Sequence, residues 1–131
     1  SDNDQNIAGH GARIWVVEDE ISVRDLIMRV LKKNGYIGFQ GGSAEEALEI
    51  FEKEKEAFDL ILSDVVLPGM SGIDLVEVIK SKKPDIKIIL SSGYPDKKSK
   101  WADIQEKGYA FLQKSYTLPV LLKTLKQVLQ S

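Results

Sequence analysis

No cysteine occurs anywhere in the chain, which excludes disulfides, thiolate catalysis and every metal site built on sulfur. Histidine is almost as scarce. The one copy, His10, lies in a polar, glycine-containing opening segment and reads as a solvated tail residue. A single imidazole excludes multi-His metal sites, and one in that position is a poor candidate for a Ser-His-Asp triad. No apolar run approaches the ~18 residues that would suggest a membrane span. The N-terminal stretch also lacks the apolar core of a secretory signal. A cytoplasmic setting, with no membrane contact by this domain, is the expectation. An excess of one charge is missing too: 18 basic and 20 acidic residues leave a formal net charge of −2. That balance gives no electrostatic reason to expect nucleic acid as a partner.

The chain does contain a regular alternation. Its 131 residues suit one domain with a real core. Residues 1–12 read as a linker or disordered lead-in, and residues 13–131 as the domain. Short apolar runs at 14–17, 37–39, 60–62, 86–90 and 109–112 are strand-sized. The central ones are almost continuously apolar, as expected of parallel strands buried on both faces.

Helical spacing fills the intervals. Val23, Leu26, Ile27, Val30 and Leu31 share one face, ended by Asn34 and Gly35. Ala44, Ala47, Leu48 and Phe51 form a second face, with Ser43 and Glu46 spaced as a capping box. Leu75, Val76 and Ile79 mark a third behind Ser71. A fourth stretch near 97–107 offers only Trp101, Ala102 and Ile104 to a core and should be the least secure. Leu118, Leu121, Leu122, Leu125, Val128 and Leu129 give the clearest stripe, capped by Thr117.

Five strands alternating with five helices predict a doubly wound α/β domain. The expected form is a five-stranded parallel sheet of order 2-1-3-4-5 in a flavodoxin-like three-layer sandwich. Ligand chemistry in such a sheet sits at the carboxyl ends of the strands. There the chain carries Glu18-Asp19-Glu20, Ser63-Asp64, Ser91-Ser92-Gly93 and Gln113-Lys114. Runs of acid are usually solvated loops. Here separate strand ends deliver acid, acid and lysine to one edge, which suits a hard divalent cation such as Mg²⁺.

These residues carry a resemblance to the response-regulator receiver family. Val16-Val17-Glu18-Asp19-Glu20 resembles its acidic pair, and the run from Leu60 through Asp64 and Pro68 to Gly72 its phosphoacceptor strand and loop. Ser91-Ser92-Gly93-Tyr94 resembles its hydroxyl-bearing strand end, and Phe111-Leu112-Gln113-Lys114 its lysine-bearing one. Four motifs in order on five alternating units are far more specific than any one alone.

The resemblance implies a phosphoacceptor domain of a two-component system, with Asp64 as nucleophile and Mg²⁺ as cofactor. Asp19, Asp64 and the backbone carbonyl of Val66 would be protein ligands. Glu18, where the family often has Asp, would act through a metal-bound water. Lys114 would pair with Asp64 and then with the phosphoryl group, and Ser92 would bond to that group. Phe111 falls at the aromatic switch position, though a half-buried strand aromatic is an equally ordinary reading. Val66 and Tyr94 occupy the positions that influence the hydrolytic water.

The implied partners are a histidine kinase or a histidine phosphotransfer protein. The polar lead-in, the stop after the last helix and the Ser92-Gly93-Tyr94 form resemble the C-terminal receiver of a hybrid sensor kinase, with a kinase core in the parent chain. A stand-alone receiver is the main alternative to that origin. Particular residues weigh against three alternatives. An aspartate-nucleophile phosphatase needs a second Asp two residues after the first, where this chain has Val66. A flavodoxin-like cofactor carrier needs a phosphate loop where Glu18-Asp19-Glu20 would repel one. A receiver-like module that works without phosphorylation usually lacks an acid or the lysine, and this chain keeps both. Ser115 stands where the family usually has proline, often after a cis bond. A cis bond before a non-proline costs roughly 2.5–4 kcal/mol, so a trans Lys114–Ser115 peptide is expected.

Glu20 reads as a solvated acid at a helix start, and Trp15 as a packing residue like Trp101. Lys53, Lys55, Lys97, Lys98 and Lys100 read as solvated helix faces.

Overall fold

Every apolar run becomes a strand of one parallel sheet in the computed structural model, which describes residues 11–54, 57–93 and 104–131. The strands are β1 (Arg13–Val17), β2 (Ile37–Gly41), β3 (Leu60–Asp64), β4 (Lys87–Ser92) and β5 (Ala110–Gln113). The order across the sheet is β2-β1-β3-β4-β5, the expected 2-1-3-4-5. Strands β2, β3 and β4 run two residues further at their carboxyl ends than their apolar runs do, and β5 one residue further. Ladder pairing continues through polar residues there: Asp64 is opposite Ser91, and Ser92 opposite Gln113.

Between the strands lie α1 (Ile21–Lys33), α2 (Ala44–Lys53) and α3 (Gly72–Lys82), and α4 (Leu118–Gln130) closes the chain. The helices start where short polar side chains can replace missing backbone partners. Ser43 Oγ accepts from the Glu46 N–H at 3.2 Å, Ser71 Oγ from Asp74 at 3.1 Å and Thr117 Oγ1 from Val120 at 3.3 Å. The return arm of the expected capping box reaches one residue further back. Glu46 Oε1 accepts from Gly42 N–H rather than from Ser43. The α1 N-terminus has Glu20 as its cap residue with no side-chain capping bond.

Alternation along the strands divides the core in two. Trp15, Val17, Ile61, Ile88 and Leu90 face α2 and α3, while Ile14, Val16, Leu60, Leu62, Ile89 and Leu112 face α1 and α4. Trp15 is fully buried, its ring stacked 5.3 Å from Phe51 and 5.0 Å from Phe58. From the helical stripes, Ile27 and Leu31 of α1 and Leu121 and Leu125 of α4 are buried. Leu26, grouped with the first stripe, is exposed.

Most of the fourth helical stretch lies outside the described residues, with Tyr94, Trp101, Ala102, Lys55, Lys97, Lys98 and Lys100; so does His10. Residues 104–106 are helical, and Ile104 is buried. Gly11 and Ala12 are tied to the domain by backbone bonds, Gly11 N–H to Gly35 and Ile37 N–H to Ala12. No helix among the described residues is long and apolar enough to cross a membrane.

Candidate functional site

Parallel strands all deliver their last residues to one edge, so the chemistry-bearing side chains of β1, β3, β4 and β5 converge there. Glu18 follows β1 and is buried, Asp64 ends β3 and is buried, and Asp19 beside Glu18 is exposed. One carboxylate oxygen from each of the three lies within 4.8 Å of the others. Three acids at that separation repel one another unless cations intervene.

Lys114, just past β5, is one such cation. Its Nζ donates to Asp64 Oδ2 at 2.8 Å and pairs with Glu18 Oε1 at 2.8 Å. The other Asp64 oxygen, Oδ1, accepts from the Val66 N–H at 3.2 Å. Glu18 Oε2 accepts from the Glu20 N–H at 3.0 Å. Both buried carboxylates are therefore held by both oxygens.

Burial pushes the Glu18 carboxyl above its ordinary range, against the lowering effect of its bonds from Lys114 and Glu20. Burial also pulls on Lys114, but in the opposite sense, because removing water disfavours the ammonium. The hydrogen bonds to Asp64 and Glu18 outweigh that pull, and Lys114 ends well above its ordinary value. It therefore stays protonated at neutral pH.

Ser92 is buried at the end of β4, and its carbonyl accepts from the Lys114 N–H at 2.8 Å. The hydroxyl-bearing and lysine-bearing strand ends are thus joined through the backbone. Phe111 is opposite Leu90 and half-buried against the core on the α2–α3 side. Val66 has 60% of its surface exposed beside Asp64, so an apolar side chain flanks the mouth of the site. Among the described residues no peptide bond is cis, and Ser115 adopts φ +77°, where the chain turns away behind Lys114.

Two residues to which the sequence reading gives no individual role prove central. Gly72 opens α3, and a Cβ there would lie 1.9 Å from the Asp64 carbonyl oxygen. Its N–H donates to the Val65 carbonyl at 2.7 Å, which presses α3 onto the strand end carrying Asp64. The signal was visible as a glycine directly after the capping Ser71, a position where glycine has no helix-forming merit. Arg24 of α1 is the second. Its Nη1 donates to the Glu18 carbonyl at 2.9 Å.

The arrangement can hold a divalent cation. Oxygen donors only, three carboxylates converging, and one of them open to solvent for coordinated water all suit a hard ion. It also offers a fixed carboxylate, Asp64, with a lysine ready to balance an incoming anion.

Comparison with known proteins agrees with this geometry. The family model described as the response regulator receiver domain matches residues 14–126. The sensor kinase CckA of Brucella abortus is 36% identical over 119 residues, a match covering 91% of this chain and 13% of that protein. Among solved structures, the receiver domain from the hybrid histidine kinase CckA aligns with a TM-score of 0.78 at 34% identity. That alignment covers 91% of this chain and all of the other. The response regulator TrrA from Thermotoga maritima, solved in complex with Mg²⁺-BeF, aligns with a TM-score of 0.76 at 32% identity, covering 89% of this chain and 98% of that one.

Proposed function

The chain belongs to the response regulator receiver domain family, the phosphoacceptor signalling domains of two-component systems, and we propose that Asp64 is its phosphoacceptor. The observation that carries the assignment is the bridging of Asp64 and Glu18 by Lys114 at one edge where three carboxylates converge. Of the two buried carboxylates there, each held by Lys114 and a backbone N–H, Asp64 alone lies within a strand, as the last residue of β3.

Asp19, Asp64 and the carbonyl of Val66 would hold Mg²⁺, with Glu18 acting through a bound water; the relative solved with Mg²⁺-BeF supports that choice of ion. When bound, the ion neutralises charge on the phosphoryl oxygens. The chain's own groups do the rest. Asp64 supplies the oxygen that forms the new O–P bond as the N–P bond to a partner's phosphohistidine breaks and the electron pair stays with the imidazole. Lys114 moves its hydrogen bond from Asp64 to a phosphoryl oxygen, and Ser92 donates to another. Inward movement of Ser92 would draw Phe111 with it and alter the surface around β5 and α4.

The donor is a histidine kinase or a histidine phosphotransfer protein. The 36% identity to a sensor kinase supports a kinase core in the same parent chain and a cytoplasmic face for this domain. A small phosphodonor tests the assignment without a partner. Acetyl phosphate should label the wild-type domain only when Mg²⁺ is present, and labelling that survives chelation would remove the metal from the reading.

Slow resetting is expected. Hydrolysis needs a water in line with the phosphorus, and the exposed Val66 offers it no polar group. Tyr94, the other tuning position, adds bulk. Replacing Val66 with Asn and Tyr94 with Ser should speed loss of the acyl phosphate about fivefold to tenfold, the worth of one orienting hydrogen bond in the transition state. Decay followed after donor removal checks this, and an unchanged rate would release both side chains from the role.

A further inference from the structure

We infer that Arg24 is the positioning residue of the acidic edge, an inference that rests on the Mg²⁺ site proposed above. Its guanidinium reaches back from the first turn of α1 and donates from Nη1 to the carbonyl of Glu18, the peptide that leads directly into Asp19. The same peptide segment is pinned on its other side, where the Glu18 N–H donates to the Gly41 carbonyl at the end of β2 at 3.0 Å. Glu20 closes the ring: its N–H bonds to Glu18 Oε2 at 3.0 Å and its carbonyl accepts from the Arg24 N–H at 2.9 Å.

Arg24 is poorly explained by stability alone. Among the described residues it makes no ion pair and its buried Nε has no hydrogen-bond partner. An unpaired guanidinium atom taken out of water is a cost that surface arginines avoid. A Cβ on Gly42, the residue after β2, would lie 2.6 Å from Nη1, so an alanine there would push the free end of the Arg24 side chain from its present place. What the arrangement achieves is a fixed Glu18–Asp19 peptide beside three carboxylates that would otherwise spread apart. The full positive charge of Arg24 opposes a cation electrostatically, so any net gain in metal affinity from this residue must come from geometry.

The test titrates Mg²⁺ into the intact domain by calorimetry and records the melting temperature of the metal-free protein beside it. Arg24→Met keeps length and removes the donors, Arg24→Lys keeps one donor, and Gly42→Ala displaces the guanidinium without altering it. Arg24→Met and Gly42→Ala should weaken Mg²⁺ binding about tenfold to a hundredfold, the usual effect of removing a group that orients metal ligands. Arg24→Lys should recover most of the affinity. Metal-free melting should stay within a few degrees of wild type throughout. Unchanged or tighter Mg²⁺ binding in Arg24→Met, or a loss that Arg24→Lys fails to repair, overturns the inference. Failure of the wild-type domain to bind Mg²⁺ at all would instead overturn the metal site itself, a separate and recognisable result.

Discussion

Replacing Gly72 with alanine should destabilise the domain by about 3 kcal/mol and remove phosphoryl uptake with it, the upper range for forcing one methyl into a filled space. The added Cβ would stand 1.9 Å from the Asp64 carbonyl oxygen and 2.8 Å from its carbon. Those are backbone atoms of a central strand, not the free end of a side chain, so no rotamer change relieves the overlap. Either α3 lifts off the sheet, breaking the 2.7 Å bond from Gly72 N–H to Val65, or the end of β3 shifts and carries the Asp64 carboxylate away from Lys114. Denaturant midpoints of the two proteins measure the cost. A variant within ~1 kcal/mol of wild type that still labels would mean that α3 is not held against the strand end.

Lys114→Met should lose about 2–3 kcal/mol near pH 7.5, below the ~3–5 typical of breaking a fully buried pair because the lysine keeps some solvent contact. The loss should depend on pH in a defined direction. The raised value of Lys114 means that its contribution is complete below its unfolded value near ~10.4 and is lost only as pH rises through the folded one. At neutral pH it is therefore fully present in the wild type. Glu18 is also raised, so the fold is favoured by its protonated form: that contribution is present below its unfolded value near ~4.3 and lost as pH rises through the folded one. Without the lysine two buried carboxylates face each other uncompensated, and protonating Glu18 relieves the pair. The deficit of Lys114→Met should therefore be largest at pH 7–8 and shrink as pH falls through the Glu18 titration. Added Mg²⁺ should restore part of it by replacing the cation. Phosphoryl uptake should fall about 10²–10³-fold in the variant, as for removal of one preorganised donor to a transition-state oxygen. A deficit that does not shrink as pH falls through the Glu18 titration would mean that Lys114 does not balance the two acids.

Much of this was legible from residue order because parallel strands impose two plain signatures. Apolar runs such as 14–17 and 60–62 have to be buried on both faces, and every strand end has to meet the same edge. Those two facts bring Glu18, Asp64, Ser92 and Lys114 together without any knowledge of distances. The helix starts at Ser43, Ser71 and Thr117 were readable for a similar reason, since capping is local. What escaped depends on close approach between elements. Gly72 matters because a helix start lies on a carbonyl eight residues earlier, and Arg24 because a side chain folds back six residues to a carbonyl. Neither leaves a periodic trace. Leu26 was grouped with the buried stripe of α1 and is 44% exposed, because the sheet covers a narrower face of the helix than its apolar residues define. Ser115 shows what replaces the family's proline: a trans peptide with φ +77° at the serine, a backbone region costing roughly 1–2 kcal/mol for a residue with a Cβ.

Mapping the phosphoryl group to one side chain tests the central claim most directly. The domain is labelled with acetyl phosphate in Mg²⁺, the acyl phosphate is trapped by borohydride reduction, and peptide mass spectrometry finds the reduced residue. The account predicts that Asp64 alone is converted, that Asp64→Asn gives no label while its melting remains cooperative, and that Asp19 and Glu18 are never modified. Label on Asp19 or Glu18 in the wild type, or undiminished label in Asp64→Asn, would contradict it.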